Sequence, residues 1–149
     1  MLTIDIEIKG DKELIAKMKK LGDAMNDWQT ELKEVGEVLK DIYSTSVFVT
    51  EGSVIGESWQ PLSEQYEFWK RKNYPGKRIL QRTGTMQKSY TYTADMLEMR
   101  LWNETDYAIF HQRGTSRGLP ARVMVKLDQT RKDAIVGIIK KGVVNKIRQ

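Results

Sequence analysis

The sequence contains no cysteine, and its 149 residues include a single histidine, His111. Without thiols there is no disulfide framework and no thiolate metal site, and one imidazole makes a histidine-based metal site a poor expectation. A cofactor-free protein is expected. Apolar runs extend over only a few residues, and the N-terminal "MLTIDIEIKG" alternates instead of placing a basic stretch before an apolar one. Neither a signal peptide nor a membrane span is therefore expected. Also missing are a nucleophile elbow, a glycine-rich phosphate loop ahead of Lys and Ser/Thr, and the zinc-protease helix signature. There is no internal repeat and no low-complexity segment.

What is present fits one globular domain over residues 1–149, with 40% apolar and 30% charged residues. The net charge of +5 conceals an asymmetry: residues 1–67 carry 7 basic against 14 acidic side chains (−7), and residues 68–149 carry 18 against 6 (+12). A subunit polarised in this way can stack acidic face to basic face in a ring or line a channel with one sign. The basic half by itself points only weakly to nucleic acid, because aromatic residues do not interleave with it along the sequence as a stacking platform requires.

Period-2 alternation over residues 2–9 predicts a half-buried strand, with Leu2, Ile4, Ile6 and Ile8 on one face. Gly10 ends it and Asp11 is a suitable N-cap. Leu14, Met18, Leu21, Met25, Trp28, Leu32, Val35, Leu39 and Ile42 then recur at alternating intervals of four and three, with a possible break at Gly22 and Asp23. That spacing fits a long helix or helix pair lying on a core, or a self-associating seam.

Glycines and prolines mark a long excursion over about 50–77, within which Ser63 is expected to cap a short helix through "EQYEFWKRK". Thr83 is expected to cap another, through about Ser89, with Met86 inward. "SYTYT" and "LEMRLW" read as an antiparallel hairpin, which the first strand completes at its edge. "DYAIFHQR" predicts a helical turn ending at Gly114, "ARVMVKL" an extended segment, and Asp128 the cap of a C-terminal helix in which Gly137 and Gly142 are weak points. The expected fold is α+β: N-terminal strand, long helix or helix pair, antiparallel hairpin sheet, C-terminal helix.

His111 is the one candidate base, with Asp106 or Ser116 as partners, yet nothing else converges on a triad. The expectation is a partly buried imidazole that hydrogen-bonds a neighbouring loop, and no enzymatic activity.

Four segments taken in order resemble the phage virion morphogenesis family, the tail-completion and head-tail joining proteins of tailed bacteriophages. They are "SWQPLSEQY" (Trp59, Pro61, Leu62, Ser63), "ILQRTGTMQKSY" (Ile79, Leu80, Thr83, Gly84, Ser89), "DYAIFHQRG" (Tyr107, Ala108, His111, Gln112, Gly114) and "LPAR" (Pro120, Ala121, Arg122). The chain departs from the family pattern at Arg113, where an aromatic is common, and at Val123 and Met124, where Pro and an aromatic usually follow P-A-R. Its loop from Gly114 to Pro120 is also comparatively short. The resemblance implies a structural protein of the virion neck, made in the host cytoplasm, assembled as a ring of six subunits. Its implied partners are further copies of itself, a tail tube or terminator protein, and head-connector proteins.

Under that reading Trp59, Pro61, Leu62, Tyr66 and Trp69, with Phe68, belong to a segment that docks on the next subunit or the tail, unless the aromatics complete the core. His111, Gln112, Gly114 and Pro120 shape the adjoining surface. Arg122 is expected to fork onto a neighbouring subunit's carboxylate, whereas Arg113 and Arg117 face either a subunit or the phosphates of DNA in the channel. The other classes consistent with the residues are a non-specific DNA-binding module and a helical interaction domain using the 14–42 seam.

Overall fold

The computed structural model describes residue 16, residues 19–20 and residues 22–148, and shows an α+β fold. The expected strand over 2–9, the Asp11 cap, and Leu14, Met18 and Leu21 of the heptad lie outside the described residues. Gly22 is helical, and the break comes at Met25–Trp28 instead. Asp27 decides the position: its carboxylate accepts the Gln29 N–H at 3.0 Å and starts helix α1, Gln29–Asp41.

The helix continues through a π-helical segment, Ile42–Ser46, into a last α turn, Val47–Val49. Val35, Leu39, Tyr43 and Val47 are buried at strides of four. On an ideal α-helix each such stride drifts by about 40°, and the wider π turn takes up that drift so that Val47 and Phe48 still meet the core. Over Leu32–Ile42 the heptad therefore packs within the chain: Val35 and Leu39 are buried, and Leu32 and Ile42 are half-buried.

Beneath α1 lies a hairpin of β1, Tyr90–Ala94, and β2, Met99–Asn103, with Tyr90 opposite Asn103 and Tyr92 opposite Leu101. Pairing starts at Met99, two residues later than the apolar pattern suggests, because Asp95–Glu98 form the turn, closed by the Asp95 N–H on the Glu98 carbonyl at 2.8 Å. Gly36 lets the two layers touch. A Cβ there would run into the ring of Tyr92, whose hydroxyl donates to Glu37 at 2.7 Å. Phe48 sits at the centre, edge-on to Trp59 at 5.4 Å and to Tyr90 at 6.5 Å.

Helix α2, Glu64–Asn73, begins at Ser63, whose hydroxyl accepts from the Tyr66 N–H at 3.4 Å. Helix α3, Thr85–Lys88, turns Met86 into the core, and helix α4 is Ala108–Arg113. Helix α5, Gln129–Arg148, starts at Asp128, which accepts the Arg131 N–H at 3.2 Å and holds its guanidinium at 2.7 Å. The same buried guanidinium reaches the Val54 carbonyl at 2.7 Å. Gly142, costly in a helix, is explained by the crossing of α5 on α1: a Cβ there would lie 2.5 Å from Glu31 Cγ. Lys146 completes the crossing, 3.4 Å from the Glu31 carboxylate and donating to the Asp27 carbonyl at 2.7 Å.

Candidate docking cleft

The segments that carry the family pattern, up to sixty residues apart in sequence, meet around one open cleft of about 1070 Å³. Pro61 and Leu62 enter from the segment before α2, Leu80 and Thr83 from the one before α3, Tyr107 and His111 from α4, and Leu119, Pro120 and Arg122 from the loop beyond it. The lining contains cations (Lys70, Arg82, Arg122) and no carboxylate.

Two ties bring the walls together. Arg122, only 4% exposed, donates through Nε to the Gln60 carbonyl at 2.9 Å and through Nη2 to the Pro61 carbonyl at 3.1 Å. Its own N–H reaches the His111 carbonyl at 2.7 Å. This revises the expectation of a fork onto a neighbouring subunit: the guanidinium is engaged within its own chain and shapes the cleft. Trp59 makes the second tie, donating its indole N–H to the Val123 carbonyl at 2.7 Å while its ring packs in the core. It is therefore a core residue and not an exposed docking anchor.

Gln112 is likewise internal to the scaffold. Its amide oxygen accepts from Met124 and Val125 N–H at 2.7 and 3.1 Å, and its amide nitrogen donates to the Val125 carbonyl at 2.9 Å. In effect the side chain takes the place of a neighbouring strand for the extended segment after Pro120. Gly114 adopts φ +72°, and a Cβ there would stand 2.8 Å from both the Leu119 carbonyl and the Ala121 nitrogen, so the turn needs glycine. Arg113 and Arg117 are exposed.

His111 is half-buried at the cleft wall, edge-on to Tyr107 at 6.3 Å. The loop is held by its backbone carbonyl, whereas the imidazole Nδ1 is buried without a hydrogen-bond partner; the expected ring-to-loop bond is not the one formed. Burial, and then the nearby Arg122 charge, depress its pKa below the ordinary imidazole value. The folded chain thus binds this proton less readily than the unfolded chain. Its stability contribution is complete above the ordinary imidazole range and is lost as pH falls through that range toward the lowered pKa. A His111→Gln variant is expected to show a flatter decline of stability between neutral and mildly acidic pH, measured by urea titration at each pH.

Lys70 is the residue that sequence patterning gives no way to find. It sits in a run of cations suited to the end of α2, yet its stem is buried and its ammonium donates to the Arg78 carbonyl. Desolvation lowers its pKa, with a partly offsetting attraction from Glu51. Next to it, Trp69 stacks on Tyr66 at 5.5 Å and meets Tyr74 at 5.7 Å, and Arg82 lies over the Tyr74 ring at 5.6 Å. Tyr66 and Trp69 are exposed, and Phe68 projects at 75% exposure. Between Phe68 and Ala94 the sequence has no acidic residue. Arg82 therefore adjoins Tyr74, eight residues away in sequence, while Arg71 of the same region pairs with Glu67.

Tied loops around a carboxylate-free cleft, beside an exposed group of aromatics, are the distinguishing features of this α+β fold. The chain belongs to the phage virion morphogenesis family, whose family model matches residues 10–143. Its role is thus in building the bacteriophage particle. Neither a curated protein nor a solved structure matches the chain. No helix among the described residues is long and apolar enough to cross a membrane, and among them no cluster of His, Cys, Asp or Glu is arranged to hold a metal.

Proposed function

We propose that the chain is a structural component of the virion neck that completes the tail and joins it to the head as a ring of copies, its cleft receiving a segment of an adjoining virion protein. The observation that carries this reading is the convergence of the four family segments on one cleft whose lining is apolar and cationic. Such a lining suits an apolar segment bearing a carboxylate, because Lys70, Arg82 and Arg122 set a positive potential with no acid beside them. Pro61, Leu62, Tyr66, His111, Pro120 and Arg122 are the members of the expected interface set that line it, whereas Trp69 lies on the neighbouring face. The test is complementation in the phage that encodes the chain. Loss of the gene is expected to leave filled heads and finished tails unjoined in electron micrographs. The native gene should restore joined particles, whereas Leu62→Glu, its fold verified by circular dichroism, should not; full joining by Leu62→Glu would refute the role of the cleft.

A second reading is favoured by the aromatic ladder of α2 beside Arg82: non-specific contact with the DNA that passes through the neck. It requires binding to DNA at low salt that falls steeply as salt rises and weakens on Trp69→Ala.

A further inference from the structure

Helix α5 has a second apolar stripe that none of the described residues covers. Ile135, Ile138 and Gly142 face α1 and the core. Val136, Val144 and Ile147 lie on the other side, 48%, 44% and 63% exposed, and at 100° per residue they share one face with Lys140 between them. Lys132 and Lys141 flank that face, the one acid on it, Asp133, accepts from Gln129 at 2.7 Å, and among the described residues none of these three lysines is in an ion pair. Apolar side chains in a basic border are the profile of a helix that expects an acidic partner.

The complementary surface is present on the same molecule. The outward face of α1 carries Glu34, Glu37 and Asp41 at intervals of three and four, all exposed, with Val38 exposed beside them. On the helix this row lies opposite the buried Val35 and Leu39, with Glu37 also accepting from Tyr92 at the edge of the hairpin, so the row is open to a neighbouring copy.

We propose that copies of this chain associate head to tail, the outward α5 stripe of one lying along the acidic outward face of α1 in the next. Val136, Val144 and Ile147 supply the dry contact around Val38, and Lys132, Lys140 and Lys141 oppose Glu34, Glu37 and Asp41. Because the two surfaces differ, the contact is heterologous and propagates in one direction, closing into a ring where the rotation permits. It gives physical content to the charge asymmetry between the two halves of the sequence. The proposal rests on the ring-forming reading above but is independent of what the cleft binds.

Sedimentation velocity of the full chain over a range of concentrations, at low and high salt, tests it. The wild type is expected to associate, less strongly at high salt. Lys140→Glu/Lys141→Glu and Glu34→Lys/Asp41→Lys are each expected to weaken association by more than about tenfold, since each opposes like charges. Both pairs are exposed, so unchanged circular dichroism and melting temperature verify folding. An equimolar mixture of the two variants should recover association, because every contact in an alternating ring is again between opposite charges. Val144→Asp should abolish association in every case. A wild type that is monomeric throughout, a Glu34/Asp41 variant that associates like wild type, or a mixture that stays monomeric would overturn the head-to-tail contact. Any of these would leave the complementation result to decide the neck function separately.

Discussion

Replacing Arg122 with leucine is expected to lower stability by about 4 kcal/mol and to open the cleft. The side chain is buried and bridges two carbonyls, those of Gln60 and Pro61, that have no other partner in the described structure. Leucine occupies much of the volume but donates to neither oxygen. Each such orphaned group costs on the order of 1–3 kcal/mol, and loss of charge-assisted bonds falls toward the upper end. Denaturant unfolding measures the loss, and hydrogen exchange at residues 59–63 and 119–125 locates it. Arg122→Lys should recover only part, since an ammonium is not a planar fork and cannot serve both carbonyls in the same geometry. A leucine variant within about 1 kcal/mol of wild type would show that these bonds add little beyond packing.

Gly52→Ala is expected to be the other large effect, despite adding one methyl group. Gly52 has φ +84°, closed to an L side chain without strain, and its Cβ would fall on the Glu57 carbonyl oxygen and 2.6 Å from Trp59 Nε1. Neither obstacle can step aside. The Glu57 N–H donates to the Gly52 carbonyl at 3.0 Å, closing the loop, and the indole is held at 2.7 Å by Val123. Backbone strain and collision together should cost about 3 kcal/mol, or on the order of 10 °C in Tm for a chain of this size. Scanning calorimetry reads it directly. Gly56→Ala makes the sharp comparison: φ is +73° there, but nothing lies within 4 Å of the added carbon, so only the strain component should appear.

The elements whose order depends on near neighbours were legible in the sequence. Ser63 and Asp128 cap their helices because a short polar side chain before an apolar run has only local N–H groups to satisfy. Met86 faces inward, and α4 ends at Gly114, as spacing and the missing Cβ dictate. What the sequence left open is where distant segments meet. Trp59, Gln112 and Arg122 have the composition of a docking surface, yet their side-chain hydrogen bonds run 12 to 64 residues across the chain to carbonyls and N–H groups. No local pattern records those partners. Lys70 hides for the opposite reason, because its neighbours Arg71 and Lys72 are exposed and the run reads as solvated. The cleft itself was visible only as a list of residues, and the cation and aromatic face beside α2 needed the return of the chain at Tyr74 and Arg82 to exist.

The short loop from Gly114 to Pro120 is clamped at both ends by bonds that do not depend on its length: the Arg122 N–H on His111 and the Thr115 N–H on Leu119, at 2.7 and 2.9 Å. Between those clamps, residues 116–118 are exposed, and Gly118 lines the cleft. Extra residues inserted there carry only the slowly rising entropy of a longer loop, about 0.6 kcal/mol per doubling. A lineage can therefore raise or lower this lip, and alter the shape of the opening, while the tryptophan and arginine ties beneath stay as they are. The part most free to diverge between phages is the rim of the cleft, and the frame that holds it in place can be inherited unchanged.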